Sequence, residues 1–338
     1  MNLRFKLAAI LAGSLSISAN AVSGEELSVA TFVPPSHETI TGALAWFENE
    51  LTSRSNGELT LKVYAAGQLG AGPTQQYKRA VEGVADITFG IAASTPTLFP
   101  KTMLAILPGK ALDGPYSTRR MWTVFDKYMA DEWSDVKVLA VGNPAGGMII
   151  ATKDVSTIEG MKGTKIVPWA AITTPVLQGM GAVPVQLDPT EHYTALSTGT
   201  IDAAISSINN IMPPWNLDEV ANYAVVNTPA TFNPVFYVMN KERYESLSAK
   251  HQKIIDEISG MPFSMQLVQA FHDADEVALK WKDEKIAAGE LNVEWIVTSD
   301  RERAKMEAAA AAGMEAIYSD YADRGIQNAQ TIYEALNK

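Results

Sequence analysis

Three groups of residues in this sequence could carry out chemistry, and each also has a plainer structural explanation. Gly67–Gly72 precedes a predicted helix, as phosphate-binding loops do, but it lacks both the third glycine of a dinucleotide fingerprint and the lysine of a P-loop. His272–Glu276 carries side chains that could hold a cation. Glu191 and His192 could form an acid–base pair, although adjacent helical residues do not face each other. We therefore favour a tight turn, an exposed helix face and a capping or surface role.

Common catalytic and metal-binding motifs are missing from the sequence. It contains no cysteine and only four histidines, which excludes thiol catalysis, disulfide bonds and iron–sulfur clusters. Neither a G-x-S-x-G nucleophile elbow nor an H-E-x-x-H zinc motif occurs. We predict that the protein is not an enzyme and uses no cofactor or metal. A secreted hydrolase with an unrecognised site is the alternative from another functional class.

Composition and charge restrict the class of protein further. The 338 residues are 47% hydrophobic and 19% charged, which is enough apolar material for a full core and enough length for two domains. The formal net charge is −11. A nucleic-acid-binding protein needs a basic surface, and an acidic protein is repelled by anionic membranes, so we exclude both partners.

The first 21 residues have the features of a secretory signal peptide. Arg4 and Lys6 precede an apolar run from Leu7 to Ile17, and Ala19–Ala21 supplies the small residues of a cleavage site. The apolar run is shorter than the roughly 20 residues that a transmembrane helix needs. We therefore expect residues 1–21 to be removed and the mature protein to be soluble in a bacterial periplasm.

Strand and helix patterns alternate along most of the mature chain, which predicts parallel α/β sheets. The predicted elements of the first part are strands at 27–33, 59–64 and 87–91 and helices at 38–54 and 75–83, and the rhythm restarts at 136. The C-terminal part favours helix, with one long stretch at 248–288 that is interrupted only at Gly260 and Pro262. Another helical stretch at 300–338 is broken near Gly313 and Gly325. Two α/β lobes without a flexible linker imply several crossovers and a hinge.

Seven short segments follow one another in a characteristic order: Tyr64–Gly70, Gln76–Ile87, Met161–Ile166, Gly181–Val185, Glu191–Leu196, Gly199–Asp202 and Val238–Lys241. Together they resemble the periplasmic solute-binding proteins of TRAP transporters, the DctP family, over nearly the whole mature chain. The resemblance implies two α/β lobes with a hinge, a cleft between them, and one long helix that spans both. It also implies that the protein closes on a small solute and delivers it to membrane permease subunits.

The resemblance divides the chain into lobes. Residues 25–145 with 235–265 form the expected first lobe, and residues 146–234 with 280–338 form the second lobe and the C-terminal helices. The helix at 248–288 connects them. We expect a monomer, because the net charge and the role of a shuttle favour one.

The positions that usually bind a carboxylate are different in this chain. The family has an arginine at the end of its K-I-R strand and often another in its G-F-R strand, where this sequence has Val167 and Ile149. An aliphatic side chain cannot offset the cost of removing a carboxylate from water. We therefore predict a neutral or amine-bearing solute, such as ethanolamine, or an aromatic one, rather than a simple carboxylate.

The other expected ligand-binding residues come from motif positions and strand ends. Trp169 and Phe89 offer aromatic walls, and Glu38 could pair with an ammonium group or merely favour the start of its helix. Further candidates on loops are Ser206, Asn209, Asn210, Trp215, Phe232 and Asn233. For the aromatic residues the alternative is ordinary core packing. A second hypothesis keeps the fold and binds an organic acid through backbone amides, Ser206, Ser207 or a lysine.

Overall fold

Two β-sheets, one in each lobe, form the framework of the protein. The computed structural model describes residues 24–109, 113–144, 147–229 and 233–338, so the predicted signal peptide lies outside the described residues. The strands are β1 (Glu25–Ala30), β2 (Leu59–Tyr64), β3 (Ile87–Ile91), β4 (Val136–Gly142), β5 (Met148–Ala151), β6 (Lys165–Val167), β7 (Val183–Pro184), β8 (Ala203–Ser206), β9 (Tyr223–Val226), β10 (Val235–Asn240) and β11 (Glu294–Val297). The helices are α1 (Ala45–Ser55), α2 (Gln76–Val81), α3 (Pro100–Met103), α4 (Gly114–Tyr128), α5 (Ile158–Met161), α6 (Thr174–Gly179), α7 (His192–Ser197), α8 (Lys241–Ser246), α9 (Ala249–Ile258), α10 (Met261–Ala288), α11 (Asp300–Asp323) and α12 (Ala329–Leu336). A π-helical segment, Thr39–Leu44, leads into α1, and single helical turns include Pro189–Glu191 and Ile208–Ile211.

The order of the strands confirms the predicted α/β class. The first sheet has the order β2-β1-β3-β10-β4, in which β1 is parallel to β2 and β3, and β10 is antiparallel to β3 and β4. The second sheet has the order β11-β9-β5-β8-β6-β7, with β6 parallel to its neighbours β8 and β7. Strands β5, β8 and β10 are buried along their whole length, as strands covered on both faces are.

Helix α10 is the element that contacts both lobes. Its first turns pack against β4 and the π-helical segment of the first lobe, where the ring of Phe263 stacks on that of Phe47 at a centroid distance of 4.5 Å. Farther along, α10 packs against the turn Ile208–Ile211 of the second lobe. Its 28 residues rise about 1.5 Å each, so the helix is long enough to cross from one lobe to the other.

The helix predicted at 248–288 is wrong in one respect, because the structure has two helices there. Helix α9 ends at Ile258, and α10 begins at Met261. Between them Gly260 has a φ of 71°, and its N–H donates a hydrogen bond to the carbonyl oxygen of Leu139 on β4 at 2.7 Å. Glycine adopts this left-handed conformation without steric cost, and Pro262 then suits the first turn of the new helix.

The C-terminal helices differ from the sequence-based expectation in two ways. Helix α11 runs unbroken through Gly313, where a Cβ atom would clash with the carbonyl oxygen of Pro175 on α6. Glycine therefore serves close packing of two helices at this position. Helix α12 packs against α4 of the first lobe, and Arg120 Nη2 donates to the carbonyl oxygen of Ala335 at 2.5 Å. The predicted division groups the C-terminal helices with the second lobe, and this last helix contacts the first lobe.

A group of polar contacts joins the two lobes beside α10, and we call Glu38, Asn209 and Asp275 the lobe junction. Asn209, in the second lobe, donates from Nδ2 to Glu38 Oε1 at 3.0 Å and from its backbone N–H to Asp275 Oδ1 at 3.2 Å. Asp275 lies on α10 and is only 8% exposed. Burial, together with the nearby charge of Glu38, raises the pKa of Asp275 to about 7.

Replacing Gly313 with alanine tests the close contact between α6 and α11. We expect Gly313→Ala to lower the free energy of unfolding by about 1–3 kcal/mol, because overpacking outweighs the better helix propensity of alanine. Urea denaturation measures the difference. Ala312→Ser, at the exposed neighbouring position, is the control and should stay within about 0.5 kcal/mol of the parent. A Gly313→Ala variant as stable as the parent would contradict the packing argument.

The pH dependence of stability tests the charge on Asp275. Its folded pKa lies above the unfolded value, so the native state binds the proton more tightly, and stability from this group falls as the pH rises from about 4 to about 7. Asp275→Asn removes the charge and keeps an acceptor oxygen. We expect this variant to be about 1–4 kcal/mol more stable than the parent at pH 8, with the gain vanishing near pH 4. The exposed neighbour Asp273→Asn should show no such trend, and a gain independent of pH would refute the explanation.

Candidate ligand-binding site

A cavity of about 220 Å³ lies between the two lobes, at the ends of strands from both sheets. The first lobe contributes Ile91, at the end of β3, and Ser94 just after it. The second lobe contributes the segment Pro168–Ala171, directly after β6, and the segment from Gln186 to His192. Loops that follow strands carry binding groups in α/β folds, so this cavity is the candidate site.

Trp169 forms a wall of the cavity. Asn233, on the segment that leads back to the first lobe, donates from Nδ2 to the carbonyl oxygen of Trp169 at 3.0 Å, which fixes the backbone that carries the ring. Trp169 also lines a second cavity of about 20 Å³, together with Ile149 and Ile205. Trp169 therefore borders both cavities, and the smaller one has room for a single water molecule only.

His192 is a lining residue that the sequence analysis missed. Asp188 and Glu191 form a capping box, in which the backbone N–H of Asp188 donates to Glu191 Oε2 at 2.9 Å, and this fixes the start of α7. His192 is 4% exposed and lines the cavity, rather than having the predicted capping or surface role. The spacing of apolar residues indicates this inward position, because Ala195 and Leu196 follow His192 by three and four residues and are buried on the same helix face.

Two buried polar atoms at this cavity have no hydrogen-bond partner within the part of the chain that the structure describes. They are Nε2 of His192 and Oδ1 of Asn233. Leaving such an atom unpaired costs about 1–3 kcal/mol, which a bound polar ligand can recover. Burial lowers the pKa of His192 to about 4, although the charge of Glu191 acts in the opposite direction. The imidazole is therefore neutral at pH 7 in the ligand-free protein.

The two positions where the family has arginine are buried in apolar surroundings. Val167 pairs with Ala204 of β8 and packs in the core of the second lobe, and Ile149 borders the small cavity beside Trp169. The described residues that line the 220 Å³ cavity include neither lysine nor arginine. Asp188, at the exposed rim, is the carboxylate among them. The electrostatic environment therefore differs from that of a cleft with an arginine clamp.

Glu38 lies at the lobe junction and does not border this cavity. Its carboxylate accepts the hydrogen bond from Asn209 and lies 3.4 Å from His37 Nδ1. The structure thus brings Glu38 and Asn209 together, as partners of each other. The hypothesis that Glu38 pairs with an ammonium group on the solute loses its geometric support, because the carboxylate is already engaged elsewhere.

The other predicted binding residues have structural surroundings of their own. Phe89 is 1% exposed in the core of the first lobe, where it stacks on Phe32 at 5.7 Å between ring centroids. Ser206 accepts a hydrogen bond from Asn210 Nδ2 at 2.9 Å. Trp215 packs against the core of the second lobe. Phe232 lies outside the described residues. A ligand-binding role for these five residues stays a prediction.

The remaining motifs agree largely with their plain explanations. In the glycine-rich turn, Arg79 folds across and donates to the carbonyl oxygen of Ala71 at 3.3 Å. His272 and Glu276 form an exposed pair on α10. Asp275 is the exception in this segment, because it is buried and accepts a hydrogen bond at the lobe junction instead of facing solvent. Within residues 24–109, 113–144, 147–229 and 233–338, no set of three or more acidic or histidine side chains is placed to hold a metal ion, and no helix is long and apolar enough to cross a membrane.

Solved structures and curated proteins resemble this chain over nearly its whole length. A TRAP solute-binding protein from a marine metagenome, specific for aromatic acids and crystallised with metahydroxyphenylacetate, is 26% identical with a TM-score of 0.83, covering 92% of this chain and 97% of that one. A TRAP solute-binding protein of Rhodoferax ferrireducens with copurified benzoate is 25% identical with a TM-score of 0.82, covering 93% and 96%. The outer membrane transporter protein TsaT of Comamonas testosteroni is 25% identical over 99% of this chain and 98% of its own length.

A family model places these similarities in one group. The model of the bacterial extracellular solute-binding protein family 7, DctP, matches residues 29–320. The matched range contains the cavity between the lobes and the long helix α10. This chain therefore belongs to the DctP family of TRAP solute-binding proteins, which bind solutes for transport and are not enzymes.

Proposed function

We propose that this protein captures a single-ring aromatic acid in the cleft between its lobes and delivers it to a TRAP membrane permease. The observation that supports this most is the 220 Å³ cavity, which combines the ring of Trp169 with buried polar atoms of His192 and Asn233. Such a site offers a flat apolar wall for an aromatic ring and polar groups for one substituent. We also propose that the predicted signal peptide directs the protein to the periplasm, where it meets its solute.

The size of the cavity suits one ring. An engineered cavity of roughly 150 Å³ in another protein binds benzene, so 220 Å³ leaves space for a ring with one or two small substituents. The rim is open to solvent at Thr74, Gln186 and Asp188, which are exposed, while Pro168, His192 and Asn233 are buried. A ligand can therefore enter from the rim and bury its polar group at the inner end.

The relatives support the chemical class of the solute. The marine protein at 26% identity was also crystallised with 3-hydroxybenzoate, and the Rhodoferax protein carried benzoate through purification. The sequence predicts an aromatic solute as one possibility. Its second hypothesis, an organic acid bound without an arginine clamp, agrees with the same class of ligand. Ethanolamine is the weaker candidate, because Glu38 is engaged at the lobe junction and Asp188 belongs to a capping box.

A panel of small solutes tests the ligand class. We expect benzoate and 3-hydroxybenzoate to raise the melting temperature, since a ligand at 100 times its dissociation constant adds about 2.7 kcal/mol of stability. Succinate, pyruvate and ethanolamine should leave the melting temperature unchanged, because none of them has a ring to contact Trp169. The described lining residues also offer no unengaged carboxylate for the amine of ethanolamine. Thermal-shift measurements decide this. Stabilisation by ethanolamine or succinate and not by the aromatic acids would overturn the proposed function.

Replacing Trp169 tests the aromatic wall. We expect Trp169→Ala to weaken benzoate binding by about 1–3 kcal/mol, because the contact area of the ring is lost, and Trp169→Phe to recover part of the loss. Isothermal titration calorimetry measures both. Trp281→Ala removes a half-buried tryptophan of α10 outside the cavity and is the matched control. Equal affinities of the parent and the Trp169→Ala variant would remove this residue from the site.

A further inference from the structure

We infer that His192 receives the carboxylate of the bound aromatic acid and takes up a proton as that carboxylate arrives. The positive charge that arginine supplies permanently in other members of the family would then exist here only in the complex. This inference rests on the proposed function, since it concerns the same cavity and the same class of solute. It assigns to His192 the selection of acids over uncharged aromatic compounds.

The position of His192 is the first support. His192 is 4% exposed and lines the cavity. It directly follows the capping box of Asp188 and Glu191, which holds it at the start of α7. Its Nε2 atom has no hydrogen-bond partner among the residues that the structure describes. Asn233 lines the same cavity and has a buried Oδ1 without a partner in the described chain. His192 Nε2 and Asn233 Oδ1 can therefore each form a hydrogen bond with a ligand, since neither is paired within the described chain.

The charges around His192 are the second support. On its own segment, Glu191 and Asp188 are the ionisable neighbours, and both are exposed and bonded within the capping box. Among the residues that the structure describes, those after β3 and after β6 present uncharged side chains to the cavity, such as Ser94 and Trp169. Among the described lining residues, His192 is thus the one side chain that can become positively charged.

Two effects decide whether His192 is protonated: its burial and the presence of the ligand carboxylate. Without ligand, burial disfavours the imidazolium, and the pKa of His192 lies near 4. A carboxylate in direct contact favours the charged form and raises this pKa toward neutrality. The complex therefore binds more protons than the free protein and ligand, and linkage requires that affinity rises as the pH falls through this range. The ligand itself stays ionised above about pH 5, so it remains an anion throughout.

Calorimetry with benzoate tests the inference on the parent protein. Titrations at pH 6.5 in phosphate and in imidazole buffer, which differ in ionisation enthalpy, should give different heats that correspond to uptake of about half a proton to one proton. Affinity should rise about twofold to tenfold between pH 7.5 and pH 6.5. Benzamide, in which an uncharged amide replaces the carboxylate, should bind with equal heats in both buffers and without pH dependence.

A variant separates protonation from hydrogen bonding. We expect His192→Gln, which can donate a hydrogen bond but cannot become charged, to bind benzoate at least tenfold more weakly at pH 6.5 and to lose the proton uptake. His272→Gln, at an exposed position of α10, should keep the affinity and the uptake of the parent. The comparison of benzoate with benzamide needs no variant, so it remains decisive if His192→Gln fails to fold.

The outcomes distinguish this inference from the proposed function. Binding of benzoate to the parent with equal heats in both buffers would overturn the proton uptake and leave the proposed function standing. Unchanged affinity in a folded His192→Gln variant would overturn the role of the residue itself. If neither benzoate nor 3-hydroxybenzoate binds to the parent, the proposed function fails, and the inference that rests on it fails too.

Discussion

The hydrogen bonds of Asn209 hold the two lobes against each other, and the geometry of the cleft depends on them. Through its side chain and its backbone, this residue bonds to Glu38 of the first lobe and to Asp275 of the connecting helix. Both partners are carboxylates removed from much of the solvent, so each is held by donors that the other lobe supplies. Ile91 and Trp169, which come from different lobes, line one cavity, so its shape depends on how these bonds hold the lobes.

The cleft illustrates how recognition of an acid can be separated from a permanent positive charge. An arginine buried in an empty pocket must itself be compensated, commonly by a carboxylate, whereas a neutral imidazole can be buried without a counter-ion. Val167 and Ile149, at the positions of the missing arginines, instead extend the apolar surfaces of the core and of the small cavity. The aromatic wall then contributes to binding through contact area, and the polar atoms at the inner end contribute direction and selectivity.

Local patterns in the sequence were sufficient for the elements but not for their partners. Leu59–Tyr64 and Ile87–Ile91 are strands at the predicted residues, because apolar alternation and flanking turn signals are properties of the segment itself. The division between α9 and α10 depends on a hydrogen bond to Leu139, more than a hundred residues away in the chain. Gly313 lies within a helix because its neighbour in space is a carbonyl oxygen, which no local pattern records.

The candidate site was predictable to a similar extent. Trp169 and Asn233, which the motif positions indicate, both line the candidate cavity, and their ligand-binding role stays a prediction. Glu38 follows β1 in the chain, but its partner Asn209 comes from the other lobe, so no local pattern predicts this hydrogen bond. A capping or surface role is expected for His192 when it is considered with Glu191 alone, because adjacent helical residues do not face each other. The buried residues three and four positions later indicate an inward face instead.

The path of the C-terminal chain has a mechanical meaning. Helix α11 packs against α6 of the second lobe, and α12 packs against α4 of the first lobe, so residues 324–328 connect the lobes in addition to α10. Near the end of α11, Tyr321 also donates a hydrogen bond to the carbonyl oxygen of Pro100 in the first lobe at 2.8 Å. The two connections, α10 and the segment between α11 and α12, together define an axis about which one lobe can rotate relative to the other. Rotation about that line bends only a few backbone torsions, whereas twisting or sliding would have to pull a helix off its lobe. The two connections therefore favour rotation about this line, a motion that changes the width of the cleft.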